Sequence, residues 1–155
     1  MHVEHELLID VTPEALWGLT VDVERWPTMF STVTTVERLE EGPVSVGSTA
    51  LIRQPWQLPR VWTVTQVDAP RRFVWTAPIG KAQMTACHEL TPAGTGSCLN
   101  RLSIDIEGPG SRILGLLLGG KMSKVLAAEN RGFAAACNMS DISDGAMPHM
   151  KHAKS

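Results

Sequence analysis

The chain has 155 residues, 43% of them apolar and 5% aromatic, and a formal net charge of -2. That length suits one domain around a single core. The slightly acidic balance and scattered basic residues, of which only Arg71 and Arg72 adjoin, exclude recognition of nucleic acid or of an anionic membrane by bulk charge, and no run of about 20 apolar residues is present to span a bilayer.

Residues 3–10 read as a first strand. Thr12-Pro13-Glu14 then brings the chemistry of a helix start: a capping hydroxyl, a proline at the first helical position and an acid in the first turn. Ala15, Leu16, Leu19 and Thr20 recur at helical spacing, which predicts a helix to about Val21, and Trp26-Pro27-Thr28-Met29-Phe30 predicts a second short one. From Ser31 the period becomes two. Strands are expected around Val33 and Val36 and over residues 48–54, 60–67, 73–78, 84–90 and 98–106, separated by turn signals at 40–43, 68–70 and 79–81. Met84, Ala86, His88 and Leu90 share one face of the penultimate strand. Cys98, Asn100, Leu102, Ile104 and Ile106 share one face of the last. A loop over 91–97 centred on Gly94 places His88 opposite Asn100.

After Gly108-Pro109-Gly110, with Ser111 as a capping hydroxyl, one long helix is expected to Cys137. At about 100° per residue, Leu118, Met122, Val125, Leu126, Phe133 and Ala136 fall within about 60° of Glu129, whereas Lys121, Lys124, Asn130 and Arg131 fall outside that arc. A carboxylate at the centre of an apolar stripe sits where folds ordinarily exclude charge. Gly119 and Gly120 each cost the helix roughly 1 kcal/mol relative to alanine, so the pair predicts a kink, a close approach by another segment, or a break into two helices. Residues 138–155 lose all periodicity and read as a polar tail behind a domain at 1–137; His149 and His152 within it are read as solvated, with no metal assigned.

These elements make an α+β fold, a curved seven-stranded antiparallel sheet wrapped around the long C-terminal helix, with two short helices after strand 1. One helix cannot fill the concave side of such a sheet, so an internal cavity is expected. Five tryptophans without a tyrosine suit a large core or a cavity wall. Cys87 and Cys98 fall on opposite faces of their sheet, and with Cys137 they read as reduced thiols of a cytoplasmic protein.

The Pro-Glu-Ala-Leu-Trp helix start, the Asp-Xaa-Glu-Arg-Trp-Pro turn, the Val-Asp-Ala-Pro-Arg-Arg turn and the long closing helix together resemble the START-like superfamily called SRPBCC, particularly its small polyketide cyclase/dehydrase-like members, over residues 3–137. The resemblance implies a helix-grip fold around an apolar cavity. Members bind lipids, sterols, plant hormones or polyketides, and some close aromatic rings, so the fold does not fix a reaction. No Cys-Xaa-His pair of an iron-sulphur oxygenase domain is present, no cofactor is expected, and the partner implied is a hydrophobic small molecule, with a homodimer as the candidate assembly.

On the face expected to line the cavity, His88 near a neutral pKa and Glu129 raised by desolvation form a candidate proton-transfer pair for aldol-type ring closure and dehydration, with Asn100 orienting the histidine or holding a carbonyl. The competing reading makes Glu129 a brace paired with an arginine such as Arg53, and has His88 hydrogen-bonded to backbone. Candidate ligand contacts are Trp26, Phe30, Gln54 and Trp56 at the mouth, Trp62, Trp75 and Met84 from the sheet, and Leu118, Met122, Val125, Leu126 and Phe133 from the helix. Three functions follow: a polyketide cyclase or dehydrase, a non-catalytic carrier or sensor, and a protein-docking role for the helix or its Gly-Gly segment.

Overall fold

In a computed structural model, which describes residues 1–144 and side chains as far as residue 139, alternation of inward and outward side chains builds a sheet of seven strands. These are β1 (His2–Ile9), β2 (Thr35–Arg38), β3 (Thr49–Gln54), β4 (Gln57–Asp68), β5 (Arg72–Ile79), β6 (Ala82–Pro92) and β7 (Cys98–Glu107). Their order is β1-β7-β6-β5-β4-β3-β2, and every neighbouring pair is antiparallel. Irregularities at Ile52/Gln54 and Val64/Gln66 interrupt the register of β3–β4 and β4–β5. An extra residue on one strand bends it and deepens the twist.

The helix start works as its residues require: the Thr12 hydroxyl accepts from the Ala15 amide at 3.3 Å, and Pro13 opens α1 (Pro13–Val21). A 3-10 turn at Val23–Arg25 leads directly into α2 (Trp26–Met29). Together they carry the chain from one edge of the sheet to the other, packing on β6, β2 and the C-terminal helix.

Two strand readings are corrected. β4 starts at Gln57, three residues before Arg60, because Pro55-Trp56 forms a tight turn rather than the start of a longer loop. The β6–β7 register places His88 opposite Leu102, and Asn100 opposite Leu90. Gly94 and Gly96 both take positive φ, and Ala93 donates to the Ser97 carbonyl, so the loop turns about Thr95 instead of Gly94. Moving the turn centre by one residue shifts every cross-strand pair by two.

The C-terminal helix α3 runs without interruption over Ser111–Asp144, past the expected end at Cys137. The rest of the expected tail, including His149 and His152, lies outside the described residues. Gly119 and Gly120 face open space, so neither marks a break or a close approach. The close approach is at Gly132, where an added Cβ would lie 2.5 Å from both the Met29 carbonyl oxygen and the Phe30 ring. α3 packs across β1 and β7 and against α2.

On the outer face, Glu6, Arg101, Glu89 and Arg72 stand opposite one another across β1, β7, β6 and β5 with alternating charge. Arg72 and Glu89 meet at 2.6 Å, and Arg101 also holds Glu4 at 2.5 Å. The inner face is apolar and closed by α3, with Phe73, Met84, Leu90, Leu102, Ile106, Met122 and Phe133 all fully buried.

Candidate functional site

The space between sheet and helix is a cavity of about 50 Å³. Trp26, Trp62 and Trp75 form its aromatic wall; Met84 and His88 enter from β6; Met122, Val125, Leu126 and Glu129 come down from α3; Gln54 and Trp56 stand at its open end. The tryptophans brace each other, with ring centroids 5.1 Å apart for Trp26–Trp75 and 5.4 Å for Trp62–Trp75. Gln54 accepts a hydrogen bond from Gln57 across the tight turn. A drug-sized pocket holds roughly 300–1,000 Å³, so this one is contracted. At about 10–15 Å³ for each water-sized sphere, it has room for a few waters.

Three expected ligand contacts, and Asn100 of the expected catalytic group, lie elsewhere. Phe30 and Phe133 stack edge to face at 4.8 Å and are core, sealing α2 to α3. Leu118 packs on the margin of the core without reaching the cavity. Asn100, expected to orient His88, is fully buried two pairs along from Leu102, and its amide donates to Asn130 Oδ1 at 2.8 Å.

His88 is buried among aromatic rings, 5.4 Å from Trp26, 5.8 Å from Phe73 and 6.1 Å from Phe133 between centroids. Its Nδ1 is enclosed with no hydrogen-bond partner, which overturns the backbone-bonded reading. Burial pushes its pKa down to about 4, not near neutrality. At neutral pH the ring is therefore uncharged and offers one N–H donor and one acceptor.

Glu129 is also unpaired by charge. No cation of the described residues lies within ion-pair reach, and Arg53, the expected partner, is exposed. Its only hydrogen bond among the described residues is a long one from the Thr32 hydroxyl, 3.4 Å. Burial raises its pKa to about 7, with the Thr32 bond opposing. Met122, Val125, Leu126, Asn130, Phe133 and Cys137 are the buried residues of this part of α3. On a helical wheel their centre lies about 40° from Glu129, towards Leu126 and Phe133. The carboxylate thus stands to one side of the apolar stripe, on the cavity's flank.

That displacement explains a polar group the sequence reading missed. Asn130 lies about 100° from Glu129, outside a 60° arc, yet it is fully buried. Its Nδ2 lies 2.9 Å from His5 Nδ1 and 3.1 Å from the His5 carbonyl oxygen, tying α3 to β1. The available signal was Asn100, an inward-facing amide on β7 that had to find a buried partner. Among the described residues, no group of three or more His, Cys, Asp or Glu side chains is arranged to hold a metal ion.

With this geometry in hand, the family described as "Polyketide cyclase / dehydrase and lipid transport" matches residues 1–138. The chain belongs to that family. A relative in Streptomyces cyaneus, provisionally named a polyketide cyclase, is 31% identical over 102 residues, covering 61% of this chain and 66% of its own length. Solved structures share the polyketide cyclase/dehydrase chain's fold at low identity. A hypothetical protein of Helicobacter pylori superposes with a TM-score of 0.76 at 10% identity, over 88% of this chain and 87% of that one. Norcoclaurine synthase of Thalictrum flavum, solved with dopamine and hydroxybenzaldehyde, gives 0.68 at 16%, over 90% and 87%. A di-domain ARO/CYC protein from the BE-7585A biosynthetic pathway gives 0.65 at 20%, over 85% of this chain and 46% of that one. These neighbours establish the helix-grip architecture.

Proposed function

We propose that this chain binds an apolar or aromatic, partly oxygenated small molecule between sheet and α3 and catalyses its cyclisation or dehydration. The observation that carries the reading is that His88 and Glu129 line one apolar cavity, each without a charged partner among the described residues. The pKa values divide the roles. A base works best with a pKa near the operating pH, which suits Glu129 at about 7. His88, neutral down to about 4, suits hydrogen-bond donation to an oxygen that gains charge.

Ionised Glu129 removes a proton from the carbon beside a ligand carbonyl, and the electron pair left behind spreads onto the carbonyl oxygen, which accepts a hydrogen bond from the His88 N–H. In dehydration that pair forms the C=C bond as the β-hydroxyl departs, taking the proton from Glu129 to leave as water. In ring closure the carbon attacks a second carbonyl of the same molecule, whose oxygen then takes that proton. Either course returns Glu129 to its carboxylate without another reagent, and His88 stays neutral throughout. A two-ring ligand exceeds the contracted cavity, so entry requires the Trp56 side chain at its open end to yield. The aromatic ligands of the norcoclaurine synthase neighbour support a ring-shaped occupant. Buried Cys87 and Cys98, with no bridge between them, support a reducing, cytoplasmic setting.

A naphthyl-bearing β-hydroxy ketone tests the reading, with its conjugated enone product followed by absorbance. The wild-type rate is expected to rise with pH about a midpoint near 7, as Glu129 loses its proton. Glu129→Gln should lower turnover by roughly 10²- to 10⁴-fold. Binding without turnover, unaffected by that substitution, would establish a carrier instead.

A further inference from the structure

We infer that the ligand carries an anionic group, a carboxylate or a phosphate monoester, held at the cavity mouth by Lys121 and Lys124 while its apolar body passes Trp56 inward. This rests on the cavity being a ligand site, as proposed above, and it adds the ligand's charge and the place where that charge sits.

A second space of about 530 Å³ lies outside the first, lined by residues that include Ser31, Thr32, Trp56, Lys121, Lys124 and Val125. Trp56 and Val125 line both spaces, so the outer one is a vestibule to the inner. The chemistry of the vestibule is one-sided. Its two charges are both ammonium groups, and neither has a carboxylate within ion-pair reach among the described residues. Lys121 Nζ stands 5.8 Å from the centroid of the Trp56 ring, which places the cation at the threshold. The Trp56 indole nitrogen is an enclosed donor with no acceptor, and Ser31 adds a hydroxyl, whereas the Thr32 hydroxyl already donates to Glu129. Donors without a matching acceptor define the complement of an anion. A neutral alcohol would leave both ammonium groups unused.

The spacing along α3 separates the two lysines from Glu129, which among the described residues is the one acidic side chain lining the inner cavity. At 1.5 Å per helical residue, Lys124 and Lys121 stand about 8 and 12 Å along α3 from Glu129. The ligand's anionic end and the carbon on which Glu129 acts are therefore about one and a half to two helical turns apart.

Three probes with the same naphthyl group on a butyl chain test this by quenching of tryptophan fluorescence at low ionic strength: naphthylbutanoate, naphthylbutyl phosphate and neutral naphthylbutanol. At least one anion is expected to bind about tenfold more tightly than the alcohol, as two partly exposed ion pairs allow. Whichever anion gains more identifies the head group. In the Lys121→Gln, Lys124→Gln double variant, whose altered side chains are exposed, that advantage should fall below about threefold, with alcohol affinity and melting temperature unchanged. Equal binding of all three by the wild type, or an anion preference that survives in the double variant, would overturn the vestibule and leave the cavity reading standing. Failure of all three probes to bind would overturn the cavity reading itself.

Discussion

A carboxyl group that keeps its proton up to about pH 7 in the folded chain, and loses it near 4.5 when unfolded, links folding to pH. Between those values the folded state holds a proton that the unfolded state has released. The stability tied to neutral Glu129 is thus complete below about 4.5, is lost as pH rises to about 7, and changes no further above it. Complete burial would set that loss at about 3 kcal/mol, and the partial exposure of the side chain onto the cavity reduces it. Glu129→Gln, neutral throughout, should be more stable than the parent by about 1–3 kcal/mol at about pH 8, with the gap closing near pH 4.5, as read by urea denaturation. A lower midpoint at pH 8 would instead reveal a cationic partner. His88 gives the complementary case. His88→Phe fits the surrounding rings and removes an enclosed unsatisfied nitrogen, so the melting temperature should hold or rise. Naphthylbutanol affinity should stay within about tenfold, while dehydration of the β-hydroxy ketone should slow by roughly 10²- to 10³-fold for a lost oxyanion donor. Glu129 was legible in the sequence because a charge interrupting a helical stripe is a local pattern. The value of the His88 pKa was not, because it depends on Trp26, Phe73 and Phe133 brought from three other elements.

At the scale of elements, α2 and α3 meet where Gly132 admits the Met29 carbonyl and the Phe30 ring. Gly132→Ala drives a Cβ into backbone, which cannot rotate away, and should cost about 1–3 kcal/mol or more by overpacking. Gly119→Ala and Gly120→Ala meet nothing and remove backbone freedom from the unfolded chain, so each should add about 0.4–1 kcal/mol. Chemical denaturation of the three variants checks the contrast; equal effects would mean that the α2–α3 contact is looser than described. Nothing in one dimension distinguishes these glycines. A pair inside a helical pattern draws attention, whereas the single Gly132 matters only through a segment about 100 residues away. The same limit explains the β6–β7 register. Strand existence and facing came from alternation within each strand, but pairing hung on whether one five-residue turn centres on Gly94 or on Thr95.

At the scale of the molecule, β1 belongs to the sheet through β7 alone, yet α3 lies across it and His5 anchors Asn130. Removing residues 1–9 would strip β7 of one of its two partners, open the charge row at Arg101 and leave the buried Asn130 amide without its β1 acceptors. Such a truncation should abolish cooperative thermal unfolding by near-UV circular dichroism, and a sharp transition in it would show the remaining strands to be self-sufficient. The edge position of β1 also bears on synthesis. Its hydrogen-bonding partner β7 is the last strand made among the described residues, with Met1 bonding to Ile106, 105 residues along the chain. At roughly 5–20 residues per second, a ribosome needs about 5–20 s after finishing β1 to complete β7. Through that interval Leu7 and Ile9 have no sheet to join, and closure of so long a loop comes late and slowly. The first strand to emerge is the last to find its place, and it is the segment of this chain that most needs a chaperone's cover.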